Sequence, residues 1–450
     1  MRHLFGKKNQ FRSSQIILLG FLGVILLGSV LLMLPVSARS GEATSFADAL
    51  FTAVSATCVT GLVVHDTATY WSVFGQAVIL VLIQIGGMGV VTLAVAISVI
   101  SGKKISLKQR STMQEAISAH NVGGIVRMTG FILKVTALIE LTGALLFLPV
   151  FIKEFGFLSG IWRAFFHSVS AFCNAGFDLM GERGAFSSLT EYYGTGYMNV
   201  VVMGLIVIGG IGFLTWDDIR WKGIHFKKYR MQSKVALVTS GLLIFIPFLF
   251  FFLGEFTRQP WDDMTASEKL WSSLFQSVTT RTAGFNTVDL AQMSESSKTI
   301  MIVLMLIGGS PGSTAGGMKT TTIAVLFLSL LAVFKRKEDT ECFGRRIVEE
   351  TIKNAAAILL MYLTLFLTGG IIISMLEGIP MLTCLFETAS AIGTVGLTLG
   401  ITPNLGQLSR LILILLMFLG RVGGLTIVFA AFSDKERNLS RFPKEKITVG

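Results

Sequence analysis

Long apolar runs alternate with short polar or basic connections along the chain, and the alternation recurs four times. The runs pair as 14–36 with 71–101, 130–152 with 195–216, 235–254 with 297–334, and 354–376 with 407–432. A bilayer-spanning helix needs about 20 mostly apolar residues, so the pattern predicts eight spans. Between the members of each pair lies a shorter apolar stretch, near 46–56, 161–172, 267–279 and 381–391. These stretches are too short to cross and suit half-helices that re-enter the membrane from its outer side. The run at 15–36 follows basic residues and could be taken for a signal peptide, but it exceeds the usual apolar core of such a leader and reads as the first span.

Composition agrees with this pattern. The 450 residues are 52% hydrophobic and 14% charged, against about 25% charged in soluble domains, which excludes a water-soluble fold. The formal charge of +11 raises the question of nucleic acid, and the positions of the basic residues answer it. Of 38 Lys and Arg, twenty-six lie in 1–13, 101–128, 217–234, 335–353 and 433–450. Basic residues on alternate connections follow the positive-inside rule. Both termini and three loops are therefore expected in the cytoplasm of a multi-pass cell-membrane protein with no nucleic-acid partner. Cys58, Cys173, Cys342 and Cys384 stand far apart, without metal-site spacing, and read as small buried residues.

The short stretches repeat a motif: Phe51-Thr-Ala-Val-Ser55, Phe166-His-Ser-Val-Ser170, Phe275-Gln-Ser-Val-Thr279 and Phe386-Glu-Thr-Ala-Ser390. A glycine follows each, in Thr60-Gly61, Ala175-Gly176, Ala283-Gly284 and Val395-Gly396, and a large apolar residue comes next. The second long runs also echo one another, with Gly86-Gly87, Gly209-Gly210, Gly308-Gly309 and Gly420-Arg421. Small residues there first suggest close helix packing. The repeats divide the chain at 1–101, 102–216, 217–334 and 335–450. Each contains two crossings, so all four share one orientation and are related by an axis along the membrane normal.

Four half-helices then dip toward one line, and non-helical backbone at that depth survives only against protein or a water-filled path. Glycine permits conformations closed to other residues, so the carbonyls around Thr60, Gly61, Ala175, Gly176, Ala283, Gly284, Val395 and Gly396 can turn inward as rings. Such rings replace the hydration shell of a potassium ion. The expected fold class is an all-α polytopic membrane protein of eight transmembrane helices and four re-entrant pore helices around a pseudo-fourfold pore.

Over its full length, with all four glycines in place, the chain resembles the Trk/Ktr/HKT superfamily of potassium transporters, and the membrane subunit of the Ktr system in particular. The resemblance implies four linked M1-P-M2 units with one filter glycine each, and K+ held at Gly61, Gly176, Gly284 and Gly396. It also implies a homodimer in membrane lipid, resting on a cytosolic ring of nucleotide-binding RCK/KTN subunits, with Na+ as a stimulating ion. Glycine at position 61, where some sodium-favouring relatives carry serine, points to potassium.

The second helix of the third repeat is interrupted by Gly308, Gly309, Ser310, Pro311, Gly312, Ser313, Thr314, Ala315, Gly316 and Gly317. Glycines and a proline cannot hold a helix there, so an intramembrane loop is expected beside the path, and the resemblance implies that it gates. Residues 312–320 nearly spell a phosphate loop, but the spacing to Lys319 is one residue too long and no strand precedes it. Arg421, in a run otherwise uncharged from Leu411 to Ser433, should face the bundle interior; the resemblance puts it against the gating loop. Lys319 either pins the loop's end or reaches the cytoplasmic interface. Asp66, Asp178 and Asp289 either concentrate cations outside the filter or are solvated loop charges. His167 is the one histidine near the path, and the roles of Lys134 and Glu140 stay open. A sodium- or proton-coupled symporter is the alternative reading; inverted repeats and midplane ionisable residues would be expected of it. No HExxH motif occurs, and the GxSxG string Gly308-Gly-Ser310-Pro-Gly312 lies in an apolar run with no preceding strand, so neither supports an enzyme.

Overall fold

A computed structural model of the chain describes residues 12–100, 105–116 and 124–424, with 426 and 445. The basic N-terminal residues 1–11, the end of the last apolar run and the basic tail from 433 fall outside the described residues, apart from 426 and 445. The first helix of each repeat is long: Ser13–Met33, Ile125–Phe155, Met231–Phe250 extended by a π turn at Phe251–Glu255, and Glu349–Glu377. All four are long and apolar enough to cross a membrane, and most of each surface faces outward.

The half-helices are Phe46–Thr57, Phe157–Cys173, Ala266–Thr279 and Met381–Gly393. Local chemistry sets their starts. The Ser45 hydroxyl accepts from Asp48 N at 3.2 Å, and Thr265 with Glu268 forms a capping box, each satisfying amides that the first turn leaves free. Gly156, at φ +79°, breaks the second first-helix from its half-helix, and Pro380 precedes the fourth. The repeated phenylalanines Phe51, Phe166, Phe275 and Phe386 are all fully buried. Each anchors its half-helix in the bundle by van der Waals packing, the main source of helix association in lipid.

The second helices differ from the expectation of one interrupted run among four. Among the described residues three are broken and the fourth stops at a glycine. The first is split into Val73–Met88 and Val90–Ile100, and the second into Gly196–Gly210 and Phe213–Lys222, bent by 95°. The third is split into Glu295–Leu306 and Thr320–Phe334, and the fourth, Gln407–Val422, ends at Gly423. Gly89, Gly212 and Gly423 have φ/ψ of 84°/133°, 93°/141° and 88°/132°, a conformation open to glycine and strained for any L side chain.

Repeat four closes on repeat one through Arg410, whose guanidinium donates to Asp48 at 2.8 Å. One element departs from the all-helical expectation, a short antiparallel ribbon of Glu341–Cys342 with Arg345–Arg346 on a connection between repeats. It carries Cys342, which is partly exposed, whereas Cys58, Cys173 and Cys384 are buried as expected.

Candidate functional site

The four glycines meet in a closed ring. A Cβ built on Gly61 would lie 2.5 Å from Ala175 O and 3.1 Å from Gly176 Cα; one on Gly176 would lie 2.9 Å from Gly284 Cα and 3.0 Å from Ala283 O. Built on Gly284 it would lie 2.4 Å from Val395 O, and on Gly396 2.2 Å from Thr60 O and 3.0 Å from Gly61 Cα. Each glycine thus faces its successor in chain order, and the fourth faces the first. The carbonyl just before each glycine occupies the place where the neighbouring glycine's side chain would stand.

Two residues before each glycine the backbone is also left-handed. Val59, Asn174, Thr282 and Thr394 have φ of 57°, 59°, 70° and 52°, and the glycines 92°, 69°, 80° and 94°. Alternation of hand turns successive carbonyls toward one side, whereas an ordinary strand points them to opposite sides. Positive φ on Val and Thr costs of order 1–3 kcal/mol and persists only where the surroundings over-determine it.

Those surroundings are the half-helix ends and the motif's hydroxyl residue. Each half-helix ends within a few residues of its glycine, so its negative dipole end is aimed at the ring. Ser55 and Ser390 accept from the amides of Gly61 (3.1 Å) and Gly396 (3.0 Å). Ser170 and Thr279 instead donate to the carbonyls of Phe177 and Phe285, the residues after the glycines. The pairing follows the sequence: leucine follows the glycine in copies one and four, phenylalanine in copies two and three.

The loop 308–317 is tied to the other three repeats, to two of them by its own backbone. Its neck is closed by Gly308 N to Met318 O (2.7 Å) and Thr320 N to Gly309 O (3.0 Å). Toward repeat two, Ser310 N donates to Gly210 O at 2.9 Å, Phe213 N donates to Gly312 O at 2.7 Å, and the Thr314 hydroxyl donates to Phe172 O at 3.1 Å. Toward repeat four, Gly317 N donates to Gly420 O at 3.2 Å, and a Cβ on Gly316 would lie 2.1 Å from the Thr394 hydroxyl. Toward repeat one, Arg421 is the bridge: it donates to Thr314 O, to Gly86 O, and to Gly87 O at 3.1 Å. Lys319 donates to Ala315 O (2.8 Å) and Gly316 O (3.3 Å). Among the described residues neither cation has a carboxylate within ion-pair distance. Both line a cavity of about 210 Å³ with Gly87, Ser313 and Gly317.

The model of the family described as TrkH, cation transport protein, matches residues 11–440. The chain belongs to the TrkH cation-transport family. Similar proteins include the potassium/sodium uptake protein NtpJ of Enterococcus hirae, 41% identical over 97% of both chains. The Ktr system potassium uptake protein B of Bacillus subtilis is 40% identical over 98% of this chain and 97% of that one. Among solved structures, the potassium transporter TrkH from Vibrio parahaemolyticus superposes with a TM-score of 0.73, at 20% identity, over 96% of this chain and 86% of that one. That likeness concerns the fold.

Gly86, Gly209 and Gly420 are packing glycines: a Cβ there would come 2.0–2.1 Å from Thr57 O, Phe172 O and Ile392 O at the half-helix ends. Asp66 and Asp289 cap short turns through their carboxylates, and Asp178 accepts from Met180 N. His167 is buried behind the ring, with Nδ1 2.7 Å from Arg163 O and Nε2 accepting from Leu179 N at 3.3 Å. Nδ1 therefore carries the proton and donates to the carbonyl, so the ring is neutral. Glu140 is buried and accepts from Gln84, while Lys134 is exposed, so the two do not meet.

Sequence reasoning missed Glu387 and Arg281. Glu387, fully buried in the fourth half-helix, accepts from the hydroxyls of Thr398 (2.8 Å) and Thr402 behind the ring. It stands in the motif slot that holds Thr52, His167 and Gln276 in the other copies. That slot varies in type, and variation within an aligned repeat was the available signal. Arg281, buried beside the third glycine, donates to the Ser240 hydroxyl at 3.0 Å.

Proposed function

We propose that this chain is the potassium-translocating membrane subunit of an uptake system, with channel-like conduction through the four-glycine ring. The observation that carries the reading is the closed ring itself, in which the carbonyls of Thr60, Ala175, Ala283 and Val395 stand beside neighbouring glycines at the ends of four half-helices. Main-chain oxygens on a pre-bent backbone replace a cation's water without a fixed charge that would trap it. The buried hydroxyls of Thr57, Thr60 and Thr394 have no protein partner among the described residues, which suits a hydrated path through the ring. The printed names of the Enterococcus hirae and Bacillus subtilis relatives, potassium/sodium and potassium uptake, favour the same cargo.

In this reading the loop 308–317 is the gate, and Arg421 and Lys319 hold it closed while raising the barrier to cations. The basic connections face the cytoplasm, where a nucleotide-binding RCK/KTN ring docks on a homodimer of this chain and controls the loop, with Na+ as a stimulating ion. The name of the Bacillus subtilis relative, a component of a Ktr system, supports a partner.

The test is rubidium uptake by vesicles containing the chain, with and without sodium and the cytosolic ring. Uptake that needs no sodium gradient, and that falls when Gly396 or Gly61 is changed to serine, is expected. Unchanged ion preference in both variants would remove the filter assignment, and strict dependence on a sodium or proton gradient would replace the channel-like reading with a symporter.

A further inference from the structure

A second site opens on the basic face, apart from the ring. A cavity of about 890 Å³ lies between the segment 227–235, the ribbon and the helix Thr320–Phe334. Its lining is cationic, with Lys227, Lys228, Lys234 and Arg345, and includes the apolar Val235, Val325 and Pro311. Two other cations of the lining are already paired: Arg230 donates to Asp217 at 2.9 Å, and Arg346 donates to Asp339 at 2.8 Å. Lys227, Lys228, Lys234 and Arg345 have no carboxylate within ion-pair distance among the described residues. Lys234 instead lies 5.6 Å from the ring of Phe343.

The flanks are apolar. Phe327, Val333 and Phe334 on the helix that supplies Val325 are 59%, 68% and 72% exposed, and Trp221 and Ile224, shortly before Lys227 in the chain, are 69% and 96% exposed. Apolar and aromatic side chains together with basic ones mark the membrane interface, and basic pockets between transmembrane helices suit anionic headgroups.

We propose that this cavity binds one anionic phospholipid, its phosphate at Lys227, Lys228, Lys234 and Arg345 and an acyl chain against Val235 and Val325. Pro311 belongs to both the cavity wall and the loop, so the bound lipid bears on the loop's position. That consequence rests on the gating role proposed above, whereas the binding itself does not.

Native mass spectrometry of the full chain, released from micelles holding equal phosphatidylglycerol and phosphatidylcholine, tests the site. Preferential retention of phosphatidylglycerol is expected, falling about fivefold for each cavity charge removed in the series K227Q, K228Q, K234Q and R345Q. The control variant R127Q/K335Q/R336Q/K353Q removes four charges outside the cavity and should leave retention within about twofold. Equal retention of both lipids, equal loss in both sets of variants, or displacement by excess inorganic phosphate would overturn the proposal; the last would make it a free-anion site. Rubidium flux in phosphatidylglycerol against phosphatidylcholine vesicles then separates the two steps. Flux should depend on the lipid in the native chain and not in the quadruple cavity variant, and lipid-independent flux with retention intact would sever the link to the loop.

Discussion

The ring at 61, 176, 284 and 396 and the loop at 308–317 are both glycine-rich irregular backbone inside the bundle, but they are held in opposite ways. Each of the four ring positions receives the same three kinds of support: a half-helix end, a hydroxyl from the motif and the next copy's backbone. The loop hangs on scattered bonds to the other three repeats, and the bridge to repeat one is a single side chain, Arg421. Repeated supports of one kind make an element with one conformation. Scattered single ones make an element that can be released by losing a few, since a hydrogen bond contributes about 0.5–1.5 kcal/mol net and one to a charged group about 1.5–3 kcal/mol.

The largest effect is expected where the ring is attacked. A serine at position 396 would place its Cβ 2.2 Å from Thr60 O on a backbone at φ +94°, so the ring must open. Potassium-limited growth should be lost, or ion preference shifted by at least about tenfold, for Gly396→Ser, measured by rubidium and sodium uptake in deficient cells. Disruption of the loop should do the reverse. Deletion within 308–317, or Arg421→Gln, removes restraint without touching the ring, and basal flux should rise about tenfold, the equivalent of about 1.4 kcal/mol. Reduced flux in both would mean that the loop supports the ring and does not obstruct the path beneath it.

How much of this was legible in the sequence follows the same division. The ring was readable because Phe51, Ser55 and Gly61 recur in type, with Thr279 for the serine and a spacing one residue shorter in copy three, and repetition exposes what a single motif would hide. The loop was readable because Pro311 and its glycines defeat a helix. The kinks at Gly89, Gly212 and Gly423 were not: one glycine in an apolar run reads as packing, and only the backbone shows that it carries φ near +90°. The left-handed Val59, Thr282 and Thr394 were hidden for a stronger reason, since β-branched residues argue against positive φ and only tertiary contacts impose it. Asp66 and Asp289 were ambiguous because a charge that concentrates cations and a solvated loop charge look alike in sequence, and the amides each accepts, which make it a cap, are seen only in the structure.

Intermediate effects test whether redundancy is what stiffens the ring. The packing glycines are the least forgiving support: alanine at Gly209 would put its Cβ 2.0 Å from Phe172 O. Gly209→Ala should lower stability by about 1–3 kcal/mol, read as an earlier thermal transition in detergent. Glu387→Gln keeps the shape but weakens the acceptor for Thr398 and Thr402, hydroxyls of the segment that follows the fourth glycine. A shift in potassium over sodium preference of about threefold with unchanged expression is expected, since hydrogen bonds to a charged group are worth more than neutral ones. An unchanged preference would show that the ring does not draw on the support behind it in copy four.

The smallest effect belongs to the outer carboxylates, and it is informative because the competing idea predicts a large one. If Asp289 concentrated cations by its field, removing its charge would lower uptake at low potassium and the loss would shrink as salt rises. The structure has the carboxylate accepting from Ala291 N at 2.9 Å and from the Gln292 amide at 3.0 Å, as the cap of a short turn. Asparagine retains that capping geometry, so Asp289→Asn should leave uptake within about twofold at every ionic strength, while Asp289→Ala costs about 1 kcal/mol of stability. A salt-dependent fall in uptake for the asparagine variant would return Asp289 to the conduction path. Flux insensitive to Asp289→Asn, set beside flux abolished by Gly396→Ser, would locate ion selection in the main-chain ring and not in the acidic side chains outside it.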